Sequence, residues 1–567
     1  MTACAIVVLG QNSVTLAKQI KTVLLNATIY GLAERTSNVD VSFSNFGETL
    51  RELFASGTPI IGICAAGILI RTLAPIISDK RQEPPVLAVA EDGSAVVPLL
   101  GGLQGVNDLA RQIATVLEVK AAITTTGDIR FHTALLAPPT GYHLANPDDA
   151  KKFISDLLAG ATVKLKGTAP WLINSKLPFD ANGKLTIEIT EYQVPLTPDC
   201  LVYHPATLAI GISNASKINS EDAISCVYQM LGDAGLSSFS VAGVFALESE
   251  AASVIEEIAD ALNVPVRFFN CQSEKNAVAI ALTATGASGK LIMQQQSGIN
   301  LAVAVSEEVI DISTIGKARG RLFIVGTGPG AANWMSPEVK QILSEATDLV
   351  GYSFYLDLAG SLREGQRRHE FDNREELARA EMALDLAAEG RTVAVVSSGD
   401  PGIYAMAAAV FEVLDCNPQP KWQSIKIHVA PGISAIQAAA ARIGAPIGHD
   451  FCVISLSDIL KPWSIIERRI IAAAEADFAI AFYNPASKQR TSQLASARDI
   501  LLRHRSPQTI VVLARNVGRA GESVVVRTLE QLSPQEVDMR TLVLVGSSKT
   551  RTVSHSEGVW VYTPRKY

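Results

Sequence analysis

VVSSGDPGIYA, residues 395–405, is the stretch on which the reading of the chain turns. Val395, Val396 and the serines after them have the branched and small side chains of a buried strand. The chain then breaks at Gly399-Asp400-Pro401-Gly402 before small residues resume. An ordinary turn needs fewer special residues than this. Glycines at a strand end let backbone amides and carbonyls approach a ligand closely, because no Cβ intervenes. Asp400 adds one negative charge at that point.

Three further strand-like runs end in the same way. RLFIVG runs into GTGPG (326–330), KIHVA into PGISA (431–435), and AIAFY into NPASKQR (484–490). One such loop is ordinary turn punctuation, whereas four in order are what an open α/β sheet uses to build a crevice at the carboxyl ends of its strands. Two phosphate-loop readings fail. In TATGASGKL the position six before Lys290 is Ala284, and Leu291 follows the lysine where a hydroxyl is required. GTGPG carries Pro329 inside the loop, and Asp348 precedes the next strand, LVGY, instead of ending it as a ribose-binding acid would.

The 567 residues exceed one hydrophobic core and imply several domains. With 48% apolar and 19% charged residues the balance is that of a globular protein. No apolar run approaches the roughly 18 residues of a membrane span, and MTACAIVVLG lacks the basic flank of a signal peptide, so a soluble, cytoplasmic protein with no membrane partner is expected. A formal charge of −7 argues against a nucleic-acid partner. The seven cysteines (Cys4, Cys64, Cys200, Cys226, Cys271, Cys416, Cys452) include no CxxC pair, and the eight histidines no HExxH. Buried reduced thiols and no metal site are expected.

Strand-like and helix-like runs alternate along the chain. CAIVVLG precedes the helical SVTLAKQIKTVL, TPIIGICA precedes GILIRTLAPII, and PVLAVAEDGSAVVPLLGG reads as two strands about an Asp-Gly turn before the helical VNDLARQIATVLEV. From about Asn146 to Tyr203 the periodicity is sparser and prolines are frequent. ATLAIGIS and FSVAGVFA, each followed by a helical run, open a third unit, and DISTIGKARG reads as a linker. The fold class is therefore α/β and multidomain, with parallel or mixed sheets covered by helices. The expected divisions are 1–130, a small middle domain at 131–204, 205–310, a linker at 311–320, and 321–567.

Residues 321–567 resemble the tetrapyrrole methyltransferases of sirohaem and cobalamin synthesis. The likeness rests on VGTGPG, MSPEVKQILSEATDLVGYSFYLDL, SSGDPGIYAMA, VAPGISAIQAAAARIGAPIGHDF, SLSDILKPW, FYNPASKQR and RNVGRAGESV. SLSDILKPW with GDPGIYA points to the branch that methylates C17 of precorrin-3B. The resemblance implies a bilobed fold with S-adenosylmethionine bound in the cleft between the lobes. It places Pro329 at the cleft floor, Ser398, Gly399, Asp400 and Ile403 on the cofactor, and Ser434, Ala435, Asn484 and Val517 around it. It also implies a homodimer and a precorrin substrate, with or without cobalt. Methyl transfer from a sulfonium to an electron-rich carbon needs positioning more than a strong base, since the leaving thioether is neutral. Asp400 beside a cationic donor suits this chemistry, and an N-cap role for the helix beginning near Ile403 is compatible with it. Ring contraction leaves room for acid–base help from Asp458, Tyr355 or Lys461, each of which reads equally as a cap, a core phenol or a solvated charge. Arg490 and Arg515 are candidates to grip substrate carboxylates.

The N-terminal half is similar to cobalt-precorrin-5A hydrolase, which opens a ring-A lactone and releases acetaldehyde. GTPIIGICAAGILIRTLAPIISDK, PPVLAVAEDG, VVPLLGG and NDLARQIA carry this likeness. Leu103 stands where that family has a histidine, and LQGVND is one residue shorter. GISNAS replaces its GxGC signature, and Leu247 replaces a lysine expected before Glu250. Cys64, Glu91 and Asp92 persist without forming a recognisable triad. The resemblance thus leaves two readings open, an active hydrolase and a degenerate corrinoid-binding scaffold.

Overall fold

The computed structural model describes all residues except 1–3, 25–26, 81, 251, 270–275, 361, 364, 373–374, 488–489, 557 and 567. The chain forms two compact units, Met1–Arg319 with Ser361–Gly365, and Gly320–Gly360 with Gln366–Tyr567.

Among the described residues the first unit contains three sheets. The first runs Val41–Phe43, Thr28–Leu32, Ala5–Val8, Ile60–Ile63, Val86–Val89, Val96–Leu100, and all its pairs are parallel except the last. The expected Asp-Gly turn therefore joins an antiparallel edge pair. The second sheet, Tyr142–Leu144, Cys200–Pro205, Leu185–Ile189, Val163–Lys166, occupies the region of sparse periodicity. That region is more regular than its sequence suggests. Its strands are short, and its core is organised by aromatic groups, with Tyr203 fully buried and donating its hydroxyl to Leu135 O at 2.7 Å. The third sheet orders Val266–Phe269, Val241–Leu247, Leu208–Ser213, Ile299–Val305, Lys290–Ser297. Lys290 opens an antiparallel strand here, with no helix after the glycine-rich turn, so the phosphate-loop reading fails structurally as well.

The second unit is built on a parallel five-stranded sheet, in the order Arg367–Phe371, Asp348–Tyr352, Thr392–Ser397, Arg321–Gly326, Lys426–Ala430. The Val- and Ala-rich Thr392–Ser397 strand is buried from Val393 onward, since helices Glu376–Ala388 and Met406–Cys416 and the rest of the sheet supply its core. A second five-stranded sheet is mixed and runs Phe451–Ser455, Ala479–Tyr483, Thr541–Val545, Ile510–Arg515, Ser523–Thr528. A small third sheet pairs Gly444–Ala445 with the hairpin Arg551–His555 and Gly558–Tyr562. Among the described residues no helix is long and apolar enough to cross a membrane.

The order of the parallel sheet positions the site. The strands ending at Ser397, Gly326 and Ala430 are neighbours, so the loops GDPG, GTGPG and PGIS emerge side by side at one sheet edge. They pack backbone against backbone. A Cβ added at Gly432 would lie 2.2 Å from Gly399 O and 2.5 Å from Gly326 O, and one at Gly326 would lie 2.4 Å from Gly399 O. Main chain cannot move aside as a flexible side chain can. Gly432→Ala is therefore expected to lower stability by about 1–3 kcal/mol, read as an earlier urea transition of the second unit, whereas an unchanged midpoint would show that the loops are not in contact.

Candidate functional site

The loops are also tied by hydrogen bonds. Gly328 N donates to Gly399 O at 3.2 Å and Gly399 N to Gly328 O at 2.8 Å, a two-way bridge between GTGPG and GDPG. Gly399 sits at φ +69°, a region open to glycine and strained for other residues. Asp400 completes the tie. One carboxylate oxygen accepts from Gly402 N at 2.8 Å and the other from Gly432 N at 3.1 Å. The helix begins at Met406 with Ala405 as its N-cap, so Asp400 does not cap it. Its carboxylate instead holds two glycine loops together, because the turn through Tyr404 (φ 53°) delays the helix beyond Ile403.

Of the other expected cofactor positions, Ser434 and Ala435 lie beside Gly399. Pro329 is buried, and Ile403 is half-buried. Ser434 is the N-cap of helix Ala435–Ile443, in a capping box with Gln437. Val517 is nearly buried and packs in one cluster with Ile436, next to Ala435 and Tyr483. Asn484, at φ 52°, donates from Nδ2 to Ser455 Oγ at 3.1 Å. A Cβ built on Gly399 would meet nothing nearer than Ala435 N and Ser434 Cα, both at 4.0 Å, so backbone here faces a space that any side chain would enter. Small residues, an ordered helix start and one carboxylate around that space fit a donor carrying a cationic sulfonium.

Three residues were expected to help with proton transfer. A hydrogen bond from Gln493 Nε2 to Asp458 Oδ2, at 2.9 Å, holds the Asp458 carboxyl below its usual range, which favours its ionised form. Burial pushes the Tyr355 phenol up, so it stays protonated, against the ring of Tyr352. Burial lowers the Lys461 ammonium, which lies 6.0 Å from the Tyr404 ring centroid. No hydrogen bond joins any two of these three groups among the described residues. Tyr483 is pushed up to about 12, mainly by burial.

The basic residues are arranged differently from the expectation. Arg490 is 5% exposed, donating to Asn484 O at 2.8 Å and to Ser457 Oγ at 3.1 Å. It braces two loops from inside and does not stand at a cleft mouth, because Asn484 in the left-handed region turns its carbonyl toward it. Arg515 pairs with Asp538 at 2.9 Å. Arg519, which no spacing argument singles out, reaches the loops instead. Its Nε donates to Pro329 O and its Nη2 to Ser398 Oγ at 2.6 Å. The signal for it in the sequence is the pair Gly518 and Gly521 that brackets it. Lys488 and Gln489 of the FYNPASKQR stretch lie outside the described residues.

In the first unit, Ser13 donates to Glu91 at 3.2 Å, and Asp92 accepts from the Ser94 amide at 3.0 Å and hydroxyl at 2.6 Å as a turn residue. Glu250 accepts from the amides of Asn214 and Ala215, each at 3.0 Å, and so holds the GISNAS loop. Leu247 is buried on its strand, and Leu103 is half-buried. The described residues contain no group of three or more His, Cys, Asp or Glu placed to hold a metal.

The matches to known proteins follow this division. Residues 321–533 match the model of the tetrapyrrole (corrin/porphyrin) methylases, and residues 48–128 match that of the cobalamin synthesis G N-terminal region. The chain belongs to the tetrapyrrole methylase family. It is 49% identical over 250 residues to the precorrin-3B C(17)-methyltransferase of a Sinorhizobium species, covering 44% of this chain and 97% of that protein. It is 50% identical over 252 residues to the cobalamin biosynthesis protein CobIJ of Mycobacterium tuberculosis, covering 44% of this chain and 48% of that protein. The chain thus spans about half the length of that relative. The crystal structure of the methyltransferase CobJ is 48% identical, covers 43% of this chain and all of its own, and superposes with a TM-score of 0.41.

The six described cysteines are free; Cys416 is exposed, at the end of its helix, and the others are half-buried, so full burial does not hold. Cys271 lies outside the described residues. Burial pushes the Cys64 thiol up to about 11. Because the thiolate is the nucleophile, about one Cys64 in a thousand is reactive at pH 8. Iodoacetamide at that pH is expected to label Cys416 well before Cys64 in peptide mass maps, and the reverse order would contradict this placement.

Proposed function

We propose that the second unit, as a methylase domain at 321–567, transfers the methyl group of S-adenosylmethionine to C17 of precorrin-3B or of its cobalt complex, with ring contraction, in cytoplasmic cobalamin synthesis. The observation that carries this reading is the meeting of three glycine loops at adjacent parallel strand ends, locked by the Gly328–Gly399 bridge and by Asp400. The names of the relatives supply the substrate class.

When bound, the donor supplies an electrophilic methyl on a sulfonium, and its thioether departs neutral. The protein's work is then to align and to exclude water. Gly399, Ser434 and Ala435 give a surface without intruding side chains, Ile403 and Val517 offer apolar contact, and Pro329 closes the floor. Asp400 contributes negative charge within hydrogen-bond reach of its own loops. The shifts carry Tyr355 and Asp458 away from neutral pH, so in this reading the phenol acts as a hydrogen-bond donor and the carboxylate as a fixed negative charge during contraction. A homodimer is part of the proposal.

The domains at 1–130, 131–204 and 205–310 form a second, hydrolase-like half in this reading, joined by the 311–320 linker. Two readings of this half stay open, hydrolysis and a scaffold; Leu103 and Leu247, standing where the resemblance expects a histidine and a lysine, weigh toward the scaffold. Incubation with methyl-labelled donor and precorrin-3B or its cobalt complex is expected to give a singly methylated product labelled at C17 by NMR; label at another ring carbon, or none, would refute the assignment. Adding the ring-A lactone intermediate separates the two readings of the other half, since hydrolysis releases acetaldehyde and a scaffold releases none.

A further inference from the structure

Arg519 carries a charge that its neighbours leave uncompensated. Its contacts are the Pro329 carbonyl, the Ser398 hydroxyl and the face of the Phe354 ring, 5.2 Å from the guanidinium carbon. None is anionic. Nη1 makes no hydrogen bond among the described residues, and no carboxylate there lies within ion-pair distance. Arg515 and Arg527, on either side along the chain, are paired with Asp538 and Glu536.

The surroundings add positive charge. Arg540 acts on Arg519 as a like charge, and Arg519 and Arg379 both act on the Tyr355 phenol. Arg379 is 4% exposed and is held by Asp372 O, Met406 Sδ and the Phe371 ring. Glu375 and Glu376 act on Arg379. Arg519 is half-buried, and even partial desolvation of a guanidinium against neutral groups alone is costly. Yet the fold makes room for this one, since a Cβ on Gly330 would lie 2.5 Å from Arg519 Cγ. Arginine's planar fork matches a carboxylate.

We propose that the outward edge of the Arg519 guanidinium, at the corner between Phe354 and Ser398, binds a carboxylate of a reactant. The carboxylate belongs either to a side chain of the tetrapyrrole or to the amino-acid end of the methyl donor. The inference rests on the reading of this crevice as a methyl-transfer site. It replaces Arg490 and Arg515, both held by the protein, as the candidate carboxylate-binding group.

Two ligand pairs test it by calorimetry on the full chain: S-adenosylhomocysteine against 5′-methylthioadenosine, which lacks the whole amino-acid end with its carboxylate and ammonium, and uroporphyrin against its carboxamide. Wild-type protein is expected to favour the acid in one pair, and that pair identifies the source. Arg519→Gln should weaken that acid about ten- to a hundred-fold and leave its neutral partner nearly unchanged. Arg519→Lys should restore part of the preference. Equal losses for both members of a pair would mark a purely structural residue and overturn the inference, as would no loss at all. Absence of any acid preference in wild-type protein overturns it without a variant. If wild-type protein binds neither S-adenosylhomocysteine nor uroporphyrin, the methyl-transfer reading itself falls.

Discussion

The site in the second unit is built on three backbones that meet closely, with no room for a side chain at Gly326 or Gly432 and a positive φ at Gly399. Gly326, Gly399 and Gly432 come from the ends of three strands that are adjacent in the sheet but lie far apart in sequence. Their carbonyls and Cα atoms touch, and the Gly328–Gly399 bridge and the Asp400 carboxylate fix their register. Buried amides of a loop need partners, and here neighbouring loops supply them. The result is a rim of mutually bonded loops at the carboxyl end of a parallel sheet, the kind of support that a preorganised site requires.

The opposing wall comes from the mixed sheet of the same unit. Tyr483, Asn484 and the turn from Asn516 to Arg519 follow its strands, and the Tyr404 hydroxyl donates to Val453 O at 3.2 Å. Arg519 then crosses to Pro329 and Ser398. One cation and one carboxylate thus flank the rim from different loops. Such an arrangement suits a reaction whose demand is alignment, with charge used to orient the reactants and not to cleave a strong bond.

Much of this was legible in the residues. Val393 to Ser397 announce a strand buried on both faces, and the glycine and proline clusters after four strands mark where backbone must approach closely. Local pattern could not say which strands are neighbours, so the contact of Gly432 with Gly399 was hidden. It misplaced the helix start near Ile403, because the left-handed turn at Tyr404 has no sequence signal of its own. It also offered Arg490 as an exposed group, since burial of an arginine depends on tertiary partners such as Asn484 O. The middle sheet of the first unit was obscured for a related reason: its strands meet around a core, including Tyr203, whose partners are distant in sequence.

The central claim is that these converging loops are one ligand-binding surface. Hydrogen–deuterium exchange with and without S-adenosylhomocysteine tests it most directly. The account predicts added protection in 326–330, 398–403, 431–435, 483–484 and 516–519 together, with little change elsewhere in the unit. Protection confined to other segments, or none in these five, would contradict it.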